Sequence, residues 1–73
     1  MDNQEAVDYL VNVMRSTGFP TEISVGAAEG LGFTGFITAR EALAEVIDSD
    51  IYPTEVRVAA AKALGRAVGV AAG

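Results

Sequence analysis

Tyr52-Pro53-Thr54-Glu55-Val56-Arg57-Val58-Ala59-Ala60-Ala61-Lys62-Ala63-Leu64-Gly65 has a near-copy 33 residues earlier, Phe19-Pro20-Thr21-Glu22-Ile23-Ser24-Val25-Gly26-Ala27-Ala28-Glu29-Gly30-Leu31-Gly32. Eight of the fourteen aligned positions are identical, and four of the other six are Phe/Tyr, Ile/Val or Gly/Ala exchanges that keep chemical character. Self-similarity at a fixed period marks supersecondary units that stack on one another. The period continues upstream, more weakly: Ala6 falls on Ala39, Leu10 on Leu43, Val13 on Val46, Met14 on Ile47 and Ser16 on Ser49. The repeating unit is therefore two helices long. The chain reads as one domain of two helical hairpins, about 3–35 and 36–70.

Each helix has its own local signals. From Asn3 to about Ser16, Ala6, Val7, Leu10, Val11, Val13 and Met14 recur at spacings of three and four, which is helical periodicity. Asp2, Glu5 and Asp8 suit the N-terminal end of that helix and Arg15 its C-terminal end. Gly18 is expected to take a left-handed cap, and Pro20 pushes its predecessor out of the helical region. Thr21 is the expected N-cap of a second helix over roughly 21–32. Read alone, Ile23 to Leu31 could be a strand and a glycine loop. Its alanine-rich twin, Glu55 to about Val68, carries Lys62, Leu64 and Arg66, strong helix formers that argue for helix in both copies. Thr38-Ala39-Arg40-Glu41 has capping-box spacing and opens a third helix that runs to about Asp48.

The totals bound the function. At 73 residues and 7.5 kDa the chain is near the size at which one core is thin. No cysteine and no histidine are present, which removes disulfides and the usual zinc, copper and haem ligand sets. No cofactor is expected, and the missing cysteines fit a cytoplasmic setting. A formal charge of −5 argues against sequence-independent nucleic-acid binding and against anionic membranes. No apolar run approaches the roughly 20 residues that span a bilayer. Met1-Asp2-Asn3-Gln4-Glu5 is acidic where a signal peptide's leader is basic.

The pattern of an apolar helix, a short acidic turn, a proline and Glu55-Val56-Arg57-Val58-Ala59-Ala60-Ala61-Lys62-Ala63-Leu64-Gly65 resembles HEAT-like repeats, in particular the short kind of phycobilisome-lyase-type proteins. The resemblance is best over 39–69 and covers nearly the whole chain as two units. It implies an all-α fold, four helices as two stacked antiparallel hairpins of an α-solenoid fragment. It also implies that Arg57 pairs with an acidic residue of the hairpin turn, Asp48 or Asp50. In the first unit Ser24 stands at the arginine position and Arg15-Ser16-Thr17 replaces the acidic turn, so no ion pair is expected there.

Several motifs carry a sharper and a plainer reading. Gly30-Leu31-Gly32-Phe33-Thr34-Gly35 satisfies G-x-G-x-x-G, but that motif needs a preceding strand, which the repeat denies it. A small α/β protein with a glycine-rich ligand loop is the remote alternative. Gly26 and Gly30, matched by Ala59 and Ala63, are expected to let the second helix of each hairpin pack closely on the other. Glu41 and Glu45, with Lys62, Arg66, Ala67, Val68 and Val70, form a candidate interaction face, weighed against an ordinary solvated surface. No residues fall into a recognised catalytic constellation. The expected function is thus a small non-catalytic protein-interaction or scaffolding module that self-associates or binds a protein partner. The alternative is an accessory or regulatory subunit of an enzyme, chaperone-like in chromophore attachment, which rests on fold analogy alone.

Overall fold

The computed structural model describes residues 1–72 and contains four α-helices in chain order: α1 (Asn3–Arg15), α2 (Thr21–Leu31), α3 (Ile37–Asp48) and α4 (Thr54–Ala72). No strand occurs among the described residues, so the fold is all-α and the mixed α/β alternative is removed. Helix α1 packs on α2, α3 on α4, and α2 on α4. The two hairpins therefore lie side by side with their second helices in contact. The shortest molecular dimension, 16 Å, is that of two helix layers about 10 Å apart.

The helix starts follow from local chemistry, in part differently from the sequence expectation. Asp2 caps α1 through a full capping box: its Oδ1 accepts from Glu5 N at 2.8 Å, and Glu5 Oε1 accepts from Asp2 N at 3.1 Å. Neither Thr21 nor Thr38 is an N-cap. Pro20 caps α2, with its carbonyl accepting from Ile23 N and Ser24 N, while Thr21 is the first helical residue. Pro53 plays the same part for α4, accepting from Val56 N and Arg57 N. Proline suits both junctions because its fixed φ is compatible with helix entry, the N–H it lacks has no helical partner there, and the following residues supply the first donors to its carbonyl. Helix α3 starts two residues earlier than the capping-box spacing suggests, because Phe36 O accepts from Ala39 N and Arg40 N. Thr38 instead accepts from Gln4 Nε2 of α1 at 3.4 Å.

Gly18 does not adopt a left-handed conformation, since no described residue has a positive φ. Helix α1 ends because Ser16 is already extended, and its hydroxyl oxygen accepts from Gly18 N at 3.0 Å.

The core is built from small and branched side chains. Met14, Leu31, Leu43, Val46 and Val56 are its largest fully buried members, and Ala27, Ala28, Ala39, Ala60 and Ala63 fill the spaces between helices. An alanine-rich seam lets helix axes approach closely but buries little apolar area per residue, at about 25 cal/mol for each Å².

Candidate interaction surfaces

The helical repeat angle of about 100° per residue sorts α2 into three stripes. Ser24, Ala27 and Leu31 are buried, and Ser24 Oγ donates to Val13 O of α1 at 3.4 Å, so this stripe faces α1. Val25, Ala28 and Gly32 lie beside it and face α4, because Gly32 closes directly on Ala63. Ile23, Gly26 and Gly30 lie on the opposite side from that second stripe, Ile23 and Gly26 exposed and Gly30 half-buried beside Leu10 of α1.

Helix α4 has the same three stripes shifted by one repeat. Arg57, Ala60 and Leu64 lie on the side of α3, where Arg57 donates from Nε at 3.0 Å and Nη2 at 2.7 Å to Ile47 O. Val56, Ala59 and Ala63 are buried on the side of α2. Val58, Ala61 and Gly65 are exposed. The hairpins are thus related by translation: one side of hairpin 1 lies on the opposite side of hairpin 2.

This relation corrects the expected role of the glycines. A Cβ built on Gly26 meets nothing within 4 Å, and one on Gly30 meets Leu10 Cδ1 of α1 at 3.7 Å, an ordinary contact. Neither touches α4. The close approach is made by Gly32, where a Cβ would stand 2.9 Å from Ala63 Cα and 3.0 Å from Ala63 O. Of the four residues expected at this helix contact, Ala63 makes it, and Ala59 is buried one turn before it on the same stripe of α4. A signal for Gly32 was present, since glycine stands at this position in both copies while Gly26 and Gly30 become alanine in the second.

Arg57 holds its position mainly through the bidentate bond to Ile47 O, which satisfies a carbonyl near the end of α3. Its Nη1 also lies 3.7 Å from Asp50 Oδ1, but that carboxylate's side chain is 98% exposed, so the pair is strongly screened. Asp48, the other expected partner, makes no ion pair with Arg57 among the described residues. In the first hairpin the hydroxyl of Ser24 likewise donates to an α1 carbonyl, Val13 O, without a charge and as a second donor beside Ser16 N.

The proposed interaction residues do not form one face. Glu41 and Glu45 line a groove between α1 and α3 with Asp8, Asn12 and Arg15, and Arg15 Nη1 lies 3.7 Å from Glu45 Oε2 with both side chains largely solvated. Lys62, Arg66, Val68 and Val70 are exposed on α4, which contributes nothing to that groove. Ala67 is 0% exposed and belongs to the interior rather than to an interaction face, because it continues the Val56–Ala63 stripe by one turn. Arg66 lies over the Phe33 ring, 4.6 Å from its centroid, a cation–π contact beside the Gly32–Ala63 approach.

The Gly30–Gly35 segment offers no phosphate cradle. The amides of Gly32, Phe33 and Thr34 all donate at 3.1 Å to the carbonyls of Glu29, Gly30 and Leu31, and Thr34 Oγ1 donates to Leu31 O at 2.9 Å. These donors close the end of α2 and are spent there. Among the described residues no group of three acidic side chains is placed to hold a metal, and no helix is long and apolar enough to cross a membrane.

The fold and its surfaces define a small all-α domain of two hairpins with an unpaired face at each end. No protein-family model matches the chain, and comparisons with curated proteins and with solved structures find no match.

Proposed function

We propose that the protein is a small non-catalytic protein-interaction or scaffolding module of HEAT-like type that works in the cytoplasm. The observation that carries this reading is the exposure of large apolar side chains on helix faces whose repeat counterparts are interior. Ile23 is 49% exposed where Val56 is 1%, and on the far side Val58 stands 46% exposed. Tyr9 is likewise exposed where its counterpart Ala42 is buried. Large apolar side chains left exposed on helix faces in this way mark sites of protein contact in a domain too small to cover them alone.

Supporting the same reading, the sequence provides no histidine or cysteine for acid–base or nucleophilic chemistry, and the acidic balance disfavours nucleic acid as partner. The test is site-specific photocrosslinking in extract of the native source, with the probe at Ile23, at Val58 or at Glu41. The reading expects protein adducts from Ile23 or Val58 in excess of those from Glu41. Adducts confined to Glu41, or none from any site, would overturn it.

A further inference from the structure

The internal contact between the hairpins is a template whose two halves reappear unused at the ends of the molecule. Inside, Gly32 of α2 closes on Ala63 of α4, Val25 and Ala28 share the α2 stripe of Gly32, and Val56 and Ala59 share the α4 stripe of Ala63. One repeat further on, Val58, Ala61 and Gly65 are the counterparts of the first set, and they are exposed on α4. One repeat back, Ile23, Gly26 and Gly30 are the counterparts of the second set, with Ile23 and Gly26 exposed and Gly30 half-buried at the margin toward α1. We infer that a second copy of this chain covers these faces, stacking head to tail so that α4 of one copy lies on α2 of the next in the register of the internal contact. The inference rests on the interaction-module reading and names its partner.

Three observations favour a copy of this chain over an unrelated partner. The first is steric. In that register Gly65 meets Gly30 of the neighbour, as Gly32 meets Ala63 internally, and a Cβ at Gly65 now meets nothing within 4 Å. Only a residue without a side chain fits the internal site at that distance, and the free end keeps it.

The second is electrostatic. Helix α2 bears Glu22 and Glu29 and no basic residue, while α4 bears Arg57, Lys62 and Arg66 against one acid, Glu55 in its first turn. The internal contact already sets the acidic helix on the basic one, and stacking repeats that arrangement.

The third is the Arg66–Phe33 pair. Phe33 and Arg66 occupy the same repeat position, 33 residues apart, and pair across the internal contact. In a stack the Arg66 of one copy reaches the Phe33 of the next. That ring is 68% exposed and has room for a second cation. The contact is heterologous, so two different patches meet and a copy with both faces free can continue the array.

The test uses three variants and sedimentation over micromolar to millimolar concentration, with circular dichroism as the folding control. The wild type is expected to grow in mass with concentration. A61E leaves the monomer folded, since Ala61 is exposed, but places a charge where its counterpart Ala28 is fully buried, and association weakens by roughly 100-fold. G65A stabilises the monomer helix yet weakens association by about tenfold, because its methyl strikes the neighbour's Gly30 backbone. I23E blocks the other face. A61E mixed with I23E forms a one-to-one dimer although neither assembles alone, because each brings one intact face.

A wild type that stays monomeric to millimolar overturns the inference. So does an A61E and I23E pair that fails to complement, which is the signature of an isologous contact. If purified wild type is monomeric while a probe at Val58 captures another protein in extract, the stacking inference fails and the interaction-module reading survives.

Discussion

Gly32 stands so close to Ala63 that a Cβ on it would lie 2.9 Å from the Ala63 Cα and 3.0 Å from both its Cβ and its carbonyl oxygen. The backbone at Gly32 is ordinary right-handed helix, φ −65° and ψ −16°, so no conformational reason demands glycine there. Space alone demands it. Two of the three opposing atoms are backbone, which cannot swing aside as a side chain can. The whole α2–α4 seam must widen to admit a methyl group.

Gly32→Ala is therefore expected to destabilise the fold by about 2 kcal/mol, the scale of overpacking a tight contact. Gly65→Ala, at the same repeat position in open space within α4, is expected to stabilise the dilute monomer by about 0.5–1 kcal/mol through helix propensity. Urea denaturation of both variants at low concentration checks the pair. Equal responses would mean that the seam at Gly32 is not tight.

Arg57 supports a second prediction, about which of its two partners matters. Its two hydrogen bonds to Ile47 O are 3.0 and 2.7 Å long, whereas the Asp50 contact is 3.7 Å and solvated. Arg57→Ala is expected to cost about 1–3 kcal/mol, since a carbonyl near the end of α3 loses a charged donor. Asp50→Asn is expected to leave the unfolding free energy unchanged at ordinary salt. Thermal melts at low and high ionic strength separate the two. A stability loss for Asp50→Asn that salt abolishes would show that the ion pair, not the carbonyl bond, holds the turn.

Ser24 occupies Arg57's place in the first repeat and is buried, with its hydroxyl donating to Val13 O at 3.4 Å. That carbonyl also accepts from Ser16 N at 3.3 Å, so removing the hydroxyl does not leave it unpaired. Ser24→Ala is accordingly expected to cost only about 0.5–1 kcal/mol, less than Arg57→Ala. A chemical-denaturation series on the two alanine variants reads the order directly, and a reversed order would mean that the repeats do not share this device.

The helical character of residues 21–31 was legible because the period transfers information from an unambiguous segment to an ambiguous one. Alanine-rich Glu55 to Val68 decided for glycine-bearing Ile23 to Leu31. Proline and the acidic or serine turns fixed the breaks to within about a residue, since those signals are local. The direction of stacking was not legible. A repeat says that two helices are alike but not which side of one lies on which side of the other. Both Gly26–Gly30 and Ala28–Gly32 are small residues at helical spacing, and the glycine shared by positions 32 and 65 is the one sequence signal that separates them. The caps were missed for a related reason. At Thr38 the capping-box pattern is satisfied in sequence, but Phe36 is extended and starts the helix sooner.

Asp2 closes α1 with a reciprocal pair of hydrogen bonds, 2.8 Å to Glu5 N and 3.1 Å from its own amide to Glu5 Oε1. Asp2→Ala removes the side-chain acceptor and is expected to cost about 1 kcal/mol. Asp2→Ser keeps an acceptor and recovers most of that loss. Because α1 contributes Val7, Val13 and Met14 to the core, fraying of its first turn registers in global unfolding as well as in amide exchange at Glu5. No change in exchange at that amide in Asp2→Ala would show that the cap is not formed.

The outward glycines give the sharpest contrast between what small residues suggest and what the packing requires. If Gly26 and Gly30 served close approach of helices, alanine at either would destabilise the fold, as expected at Gly32. Their surroundings say otherwise: open space at Gly26 and an ordinary 3.7 Å contact with Leu10 at Gly30. Both lie inside α2, where glycine costs up to about 1 kcal/mol relative to alanine. Gly26→Ala and Gly30→Ala are thus expected each to stabilise the monomer, together by about 1–2 kcal/mol. A lowered melting temperature in Gly26→Ala, measured dilute enough for the chain to be monomeric, would mean that another helix of the same chain lies against this stripe. The placement of α2 between α1 and α4 would then have to be redrawn.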